Sequence, residues 1–266
     1  INPNMSLNEF KVIFYWEYFH RILARIIGLF FLIPLVYFHF SKKINKKHIK
    51  ICYFIFLLIL LQGIIGWFMV KSGLVNNITV SHYRLSAHLT LAFIIISIIF
   101  WLIKNVISRN NKKFFIFKKN NLPFILLIIL IYMQIIFGAF VSGLDAGNIY
   151  QTWPLMGQSY FPNDIINKNL TTLINFNNHS LIQFYHRNLA YLIVIYIIFL
   201  SYYIYSKNLK ILHTPFKIVV SFLVIQIFLG VFTLISGLNI YLASAHQISS
   251  VILVFSAINL YYFTSK

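Results

Sequence analysis

Just inside the first long apolar run of this sequence lies Glu17-Tyr18-Phe19-His20-Arg21, which places a carboxylate, an imidazole and a guanidinium within about one helical turn. Glu17 and His20 are three residues apart, so they share one face of a helix. Ionisable side chains at membrane depth are costly, and they therefore indicate a functional site. A related segment, Gln183-Phe184-Tyr185-His186-Arg187, opens a later apolar run.

The composition is that of a membrane protein. Of the 266 residues, 60% are hydrophobic and 10% are charged, whereas a soluble domain has about 25% charged residues. After a polar loop at 1–13, seven apolar runs are each near the ~20 residues that cross a bilayer, where only helices satisfy the backbone. They lie at about 14–40, 51–71, 83–103, 122–143, 181–205, 215–236 and 243–264.

The basic residues report topology. A net charge of +18 is compatible with nucleic-acid binding, but the lysines and arginines fall between apolar runs, so we expect no nucleic-acid partner. Most of them lie in alternate loops and at the C-terminus: Lys42, Lys43, Lys46, Lys47, Lys50, Lys104, Arg109, Lys112, Lys113, Lys118, Lys119, Lys207, Lys210, Lys217 and Lys266. The positive-inside rule places these loops in the cytoplasm or the mitochondrial matrix, for a bacterial plasma membrane or a mitochondrial inner membrane.

Few residues are available for other metal or redox sites. Cys52 is the single cysteine, so the sequence excludes an intramolecular disulfide and a multi-thiolate metal site. Four acidic residues exclude a carboxylate-rich metal cage.

The chain repeats itself. Gln62-x3-Gly66 recurs as Gln226-x3-Gly230, and a third copy is Gln134-x3-Gly138. Two similar halves, 1–121 and 122–266, are a common membrane architecture. The second half has four apolar runs and the first has three, which predicts a further helix before residue 1 in the complete protein.

Four histidines occupy repeat-related positions. His20 and His186 each precede an arginine, and His88 and His246 each follow an alanine. Imidazoles from facing helices can ligate a haem, so the pattern predicts two haems, on His20 with His88 and on His186 with His246. The alternative is four hydrogen-bonded helix contacts. His82 competes with His88, but it has no repeat partner.

Charged neighbours of these histidines suggest further roles. Arg21 and Arg187 suit haem propionates, and Arg84 is either another propionate partner or a snorkelling side chain. Glu17 has Gln183 as its counterpart, so only the first half has an acid that could take a proton or stabilise a cation. An ion pair of Glu17 with Arg21 or Arg25 is an equally good interpretation.

The connection 144–180 contains Asp145-Ala146-Gly147 and Tyr150-Gln151-Thr152-Trp153-Pro154-Leu155-Met156-Gly157. Aromatic residues with proline and glycine indicate an ordered cover at the membrane surface, or an interfacial aromatic belt without a direct role.

Together these motifs resemble the haem A synthase family, specifically its cysteine-poor proteobacterial and mitochondrial branch. The likeness covers essentially the whole chain. The matching segments are 17–21 with Arg25 and Gly28, 66–74, 81–89, 143–147, 153–156, 183–187 and 245–247.

The resemblance implies an enzyme that oxidises the C8 methyl group of haem O to a formyl group, giving haem A for cytochrome c oxidase. It implies an all-α polytopic membrane protein of two pseudo-symmetric four-helix bundles, of which this chain has seven helices and lacks the first. The half at 1–121 would hold the substrate haem on His20 and His88, with Arg21 and Arg84 binding it and Glu17 essential for catalysis.

By the same resemblance, the half at 122–266 would hold a haem b cofactor on His186 and His246, with Arg187 beside it. The partners implied are haem O synthase, cytochrome c oxidase assembly factors, membrane lipid and an electron acceptor that the sequence does not identify. Homo-oligomerisation is compatible with the sequence.

Two other functions fit parts of the pattern. A di-haem b-type electron carrier without its own chemistry would use the same histidines, but it leaves Glu17 without a purpose. A transporter built from parallel repeats would bind no haem, so it predicts a colourless protein.

Overall fold

A computed structural model describes residues 6–73, 80–114, 117–166 and 169–264. These residues form helices and connecting segments with no β-strand, apart from one isolated bridge between Met156 and Ser159. The eight α-helices are α1 (Leu7–Ser41), α2 (Lys46–Gly73), α3 (His82–Ile107), α4 (Leu122–Gly143), α5 (Leu170–Leu173), α6 (His179–Ser206), α7 (His213–Ile235) and α8 (Ile240–Thr264).

Seven of these helices, all except α5, are long and apolar enough to cross a membrane. They coincide with the seven predicted runs, so the prediction of an all-α, multi-pass membrane protein is confirmed. Continuous helix is what these sequences must form in lipid, because the hydrocarbon offers no partner to backbone amides and carbonyls.

The start of α1 differs from the sequence prediction. The loop predicted at 1–13 is wrong from Leu7 onward, while residues 1–5 lie outside the described part of the chain. The Ser6 hydroxyl accepts from the Glu9 amide at 3.3 Å, and the Glu9 carboxylate accepts from the Ser6 amide at 2.8 Å. This reciprocal capping box satisfies two free amides and lets the helix begin in polar sequence.

Contacts divide the chain into two compact units, Ile1–Arg84 and Leu85–Lys266. In the first unit α1 packs on α2 through Phe31 and Phe56, whose rings stack with centroids 6.4 Å apart. The described residues of this unit leave most of α1 exposed, with Leu35 as its buried residue.

The second unit contains the large core. The buried side chains of α3, α4, α6, α7 and α8 form one apolar cluster that includes Phe124, Ile258 and Tyr261. Polar groups inside it are paired: the Tyr132 hydroxyl donates to the Phe93 carbonyl at 2.9 Å and lies 2.7 Å from the Ser97 hydroxyl. This core fixes the four helices that carry the site described below.

The repeat predicts half-bundles at 1–121 and 122–266, and this boundary comes from matching the repeated residues in the sequence. The two compact units come from contacts between residues instead, so they do not test the half-bundles, which stay a prediction.

Candidate functional site

His186 lies about two turns from the start of α6, which the Asn178 side chain caps by accepting from the Leu181 amide at 3.0 Å. Gln134 on α4 donates through its Nε2 to the His186 carbonyl at 3.0 Å, and the same nitrogen is 3.3 Å from the imidazole Nε2. One turn further along α4, a Cβ on Gly138 would approach the imidazole Cε1 to 3.1 Å. The imidazole therefore packs directly against the backbone of α4.

His246 on α8 has the same environment. Gln226 on α7 donates to the His246 carbonyl at 3.1 Å, and it also donates to the Ser249 hydroxyl at 2.5 Å. A Cβ on Gly230 would approach the His246 Cε1 to 3.1 Å. The Gln-x3-Gly repeat is thus a seat for an imidazole: the amide fixes the backbone of the neighbouring helix, and the glycine makes room for the ring.

The sequence alone indicates no role for the glutamines. Their signal is present in the sequence, because residues four apart share a helix face and the Gln-x3-Gly pair recurs on α4 and α7. Its meaning needs the packing of α4 on α6 and of α7 on α8.

The ring nitrogens are suited to binding a metal. The Nδ1 atoms of His186 and His246 are both buried, and neither has a hydrogen-bond partner among the described residues. A buried polar atom without a partner is destabilising, so each of these atoms calls for an explanation such as a water, an ion or a bound group.

No cluster of three or more His, Cys, Asp or Glu side chains suited to a metal ion occurs within the described ranges. Two imidazoles without further ligands suit an iron porphyrin, whose four pyrrole nitrogens supply the other ligands.

Arg187 on α6 is hydrogen-bonded to the connection between α4 and α6. Its terminal nitrogens donate to the carbonyls of Tyr150 at 2.9 Å, Thr152 at 2.8 Å and Leu155 at 3.2 Å. Gln183 donates to the same Tyr150 carbonyl at 2.9 Å. The sequence analysis proposes Arg187 as a propionate partner; its Nε remains buried and without a hydrogen-bond partner in the described structure.

A second set of contacts closes this connection onto the start of α6. The Asp164 carboxylate accepts from the Tyr150 hydroxyl at 2.7 Å and from the Ser180 hydroxyl at 2.8 Å. Burial, with the adjacent Asp164 carboxylate, raises the pKa of the Tyr150 hydroxyl. A cavity of about 540 Å³ opens beside these residues. The described part of the connection is therefore hydrogen-bonded to α6 and does not form a free linker.

The first His-Arg segment lies on α1 in the other unit. Glu17 and Arg21 form an ion pair, with side chains 43% and 52% exposed. His20 and Arg25 are exposed, and a Cβ on Gly28 would meet nothing within 4 Å. The ion pair considered in the sequence analysis is therefore present, and it leaves a catalytic role for Glu17 open.

The remaining predicted site residues are divided between the units. Arg84, in the first unit, donates to the Phe68 carbonyl at 3.0 Å and lies 3.8 Å above the Phe68 ring. His82 is buried with its ring 4.0 Å from that of Tyr83. His88 is half-buried in the second unit. Since His20 belongs to the first unit, the pairing of His20 with His88 stays a prediction.

Comparison with known proteins gives a consistent family. Residues 1–258 match the model of a family described as cytochrome oxidase assembly protein. The chain is 49% identical over 262 residues to the Heme A synthase of Pelagibacter ubique, covering 96% of this chain and 75% of the relative. The Heme A synthase of Flavobacterium johnsoniae is 40% identical over 261 residues, covering 96% of this chain and 75% of the relative. The Heme A synthase of Wolbachia pipientis wMel is 40% identical over 259 residues, covering 97% of this chain and 72% of the relative. The resemblance inferred from the motifs is thereby confirmed, and the chain belongs to the cytochrome oxidase assembly family that contains these haem A synthases.

Proposed function

We propose that this protein is a haem A synthase, a membrane oxidoreductase that converts the C8 methyl group of haem O into a formyl group to provide haem A for cytochrome c oxidase. The family match and the named relatives support the reaction. The observation that carries the proposal on this chain's own residues is the repeated seat, Gln134 with Gly138 and Gln226 with Gly230, that presents one buried imidazole each.

The cofactor proposed for these two seats is haem b, which His186 and His246 would hold through its iron. Their buried Nδ1 atoms support this assignment, because each lacks another partner in the described structure. A haem bound there would supply one-electron redox chemistry. The protein would orient both imidazoles through Gln134 and Gln226. It would exclude water through the connection between α4 and α6, which Arg187 holds by hydrogen bonds.

The substrate haem is proposed to lie on His20 and His88, with Arg21 and Arg84 near its propionates. With water supplying the oxygen atom, converting a methyl group to a formyl group releases four electrons and four protons (R–CH3 + H2O → R–CHO + 4 H+ + 4 e−), and the electrons pass to the electron acceptor. Glu17 is the carboxylate of this region, so its side-chain oxygens are the proposed proton acceptor. Arg21 balances the negative charge of Glu17, which lowers the cost of an acid within a membrane helix.

Topology and partners follow as proposals. The basic loops are assigned to the cytoplasmic or matrix side of a bacterial plasma membrane or mitochondrial inner membrane, and the histidine sites to the outer half. Haem O synthase would supply the substrate, and cytochrome c oxidase assembly factors would receive the product. An electron acceptor of unspecified identity would reoxidise the cofactor.

A di-haem b-type electron carrier is the second candidate. It accounts for the His186 and His246 seats equally well. The observation against it is the inequality of the two halves, because Glu17 is an acid where the second half has Gln183.

The test is to co-express the complete protein with haem O synthase and to analyse the extracted haems. We expect haem A in the extract, and a reduced-minus-oxidised spectrum with a b-type band. A haem-containing protein that never yields haem A would support the carrier. A purified protein without a Soret band would contradict both.

A further inference from the structure

Two buried donors on α6 lack acceptors in the described structure: the Nε of Arg187 and the hydroxyl of Tyr191. The residues are four apart, so they share one face of the helix. Helical side chains lean toward the N-terminus, which carries the Tyr191 hydroxyl toward the level of the arginine.

Other hydroxyls and N–H groups in this region have acceptors. The hydroxyl of Tyr196, also on α6, donates to the Pro123 carbonyl at 2.7 Å. The Tyr185 hydroxyl donates to the Leu173 carbonyl at 2.5 Å. Both terminal nitrogens of Arg187 are bonded to backbone carbonyls. A bound group could supply the acceptor that Nε and the Tyr191 hydroxyl lack in the described structure.

The chemistry of that group follows from the donors. A guanidinium N–H and a phenol O–H together suit an oxygen anion, and a buried positive charge favours a carboxylate. Arg187 follows His186 directly, so the anion would belong to the group that His186 binds. A porphyrin with propionates meets both requirements.

We propose that Tyr191 is a haem-binding residue, which together with the Nε of Arg187 holds a propionate of the haem on His186 and His246. Arg187 then joins two partners, because its terminal nitrogens hold the carbonyls of residues 150–155 while its Nε holds the ligand. Binding of haem and ordering of this segment are consequently coupled. The inference rests on the proposed function for the identity of the ligand.

The first test measures haem loss. The purified, haem-loaded Tyr191→Phe protein is mixed with excess apomyoglobin, and transfer is followed by absorbance. We expect about 10-fold faster loss than from the wild type, as for removal of a hydrogen bond to a charged group. Tyr196→Phe is the matched control on the same helix, and its rate should equal the wild-type rate.

A second arm separates a propionate contact from a structural effect. Apoprotein is reconstituted with haem or with its dimethyl ester, in which both propionates are neutral. The Tyr191→Phe effect on the loss rate should shrink to under about 3-fold with the ester, because a neutral acceptor forms the weaker hydrogen bond. An equal effect with both haems would overturn the inference.

A third arm measures the coupling by hydrogen exchange in segment 150–155. Haem addition should slow exchange there in the wild type, and this response should be lost in Arg187→Lys, since an ammonium cannot replace the planar fork. Exchange in the wild type that is independent of haem would overturn the coupling. These outcomes are separable from failure of the proposed function, which predicts that the wild type binds haem and yields haem A.

Discussion

The segments Glu17–Arg21 and Gln183–Arg187 have the same spacing of histidine and arginine and different contacts. In the first, Arg21 pairs with Glu17 four residues earlier in the same helix. In the second, Gln183 and Arg187 both donate to the backbone of the connection between α4 and α6, where they share the Tyr150 carbonyl as acceptor. One segment pairs its own charges, and the other is hydrogen-bonded to a connection between two helices.

The physical reason lies in a single position. The Glu17 carboxylate only accepts hydrogen bonds, so it captures the arginine one turn away. The Gln183 amide is uncharged and uses its Nε2 as a donor, which leaves Arg187 free to reach the loop carbonyls. The comparison shows that two copies of one motif, one with an acid and one with an amide at the first position, make different contacts.

The largest effect is expected from Glu17→Gln, which gives the first segment the amide of the second. Loss of a positioned proton acceptor should lower haem A formation by about 10²–10⁴-fold. The measurement is haem analysis after co-expression with haem O synthase, with Glu9→Gln as the acid-to-amide control at the start of the same helix. The haem b spectrum should be retained, and undiminished haem A would contradict a catalytic role for Glu17.

A second large effect is expected from His186→Ala and His246→Ala. Each removes one proposed axial ligand of haem b, so each should abolish the low-spin b-type band and reduce bound haem by about 10-fold or more. Reduced-minus-oxidised spectra measure this. His179→Ala, an exposed histidine on the same helix as His186, is the control. A normal band in both ligand variants would remove the cofactor site from the second unit.

Gly138→Ala and Gly230→Ala test the imidazole seats. The added methyl would lie 3.1 Å from the Cε1 of His186 or His246, so the ring must shift, and about 1–3 kcal/mol of overpacking is expected. Thermal stability and the position of the b-type band should both change.

Gly63→Ala is the matched control for these two variants, because a Cβ there meets nothing within 4 Å. It should leave the spectrum unchanged and keep or slightly raise stability, since alanine favours helix by about 0.5–1 kcal/mol over glycine. Equal behaviour of all three glycine variants would show that the seats do not constrain the rings.

The converse exchange, Gln183→Glu, should give the second segment the ion pair of the first. Arg187 would divide its donors between the new carboxylate and the loop carbonyls, so hydrogen exchange in residues 150–155 should speed up about 3- to 10-fold. Gln183→Leu is the control, since it removes the amide donor without adding a charge. If hydrogen exchange in residues 150–155 speeds up more in Gln183→Leu than in Gln183→Glu, the new carboxylate does not compete for Arg187.

The smallest effect concerns pH. The raised pKa of Tyr150 means that its contribution to stability is complete below the ordinary tyrosine pKa of about 10 and is lost as pH rises through the higher value. Melting temperatures at pH 9 and 11 should fall further in the wild type than in Tyr150→Phe, by about 1–2 °C. Identical pH slopes would mean that Tyr150 does not couple the connection to the fold.

Much of the architecture could be predicted from residue pattern alone. Seven helices follow from seven apolar runs, because their length and the lack of backbone partners in lipid allow little else. The early start of α1 was also readable, since Ser6 and Glu9 form a capping-box pattern. The repeat drew attention to Gln134 and Gln226 without giving their function.

The site was harder to predict because side-chain contacts depend on neighbours distant in sequence. Nothing near Arg187 in the chain indicates that it bonds carbonyls more than thirty residues earlier. Nor does local sequence distinguish the bonded Tyr196 hydroxyl from the unpartnered Tyr191 hydroxyl.

By itself, the sequence determined that this protein is a helical, multi-pass membrane protein with repeat-related histidines and one acid beside the first of them. Those features depend on composition and on spacing along single helices, where the physics is local. Only the tertiary structure decided that imidazoles pack against Gly138 and Gly230 and that Arg187 bonds the connection between α4 and α6. Those contacts exist only when separate helices and loops pack together.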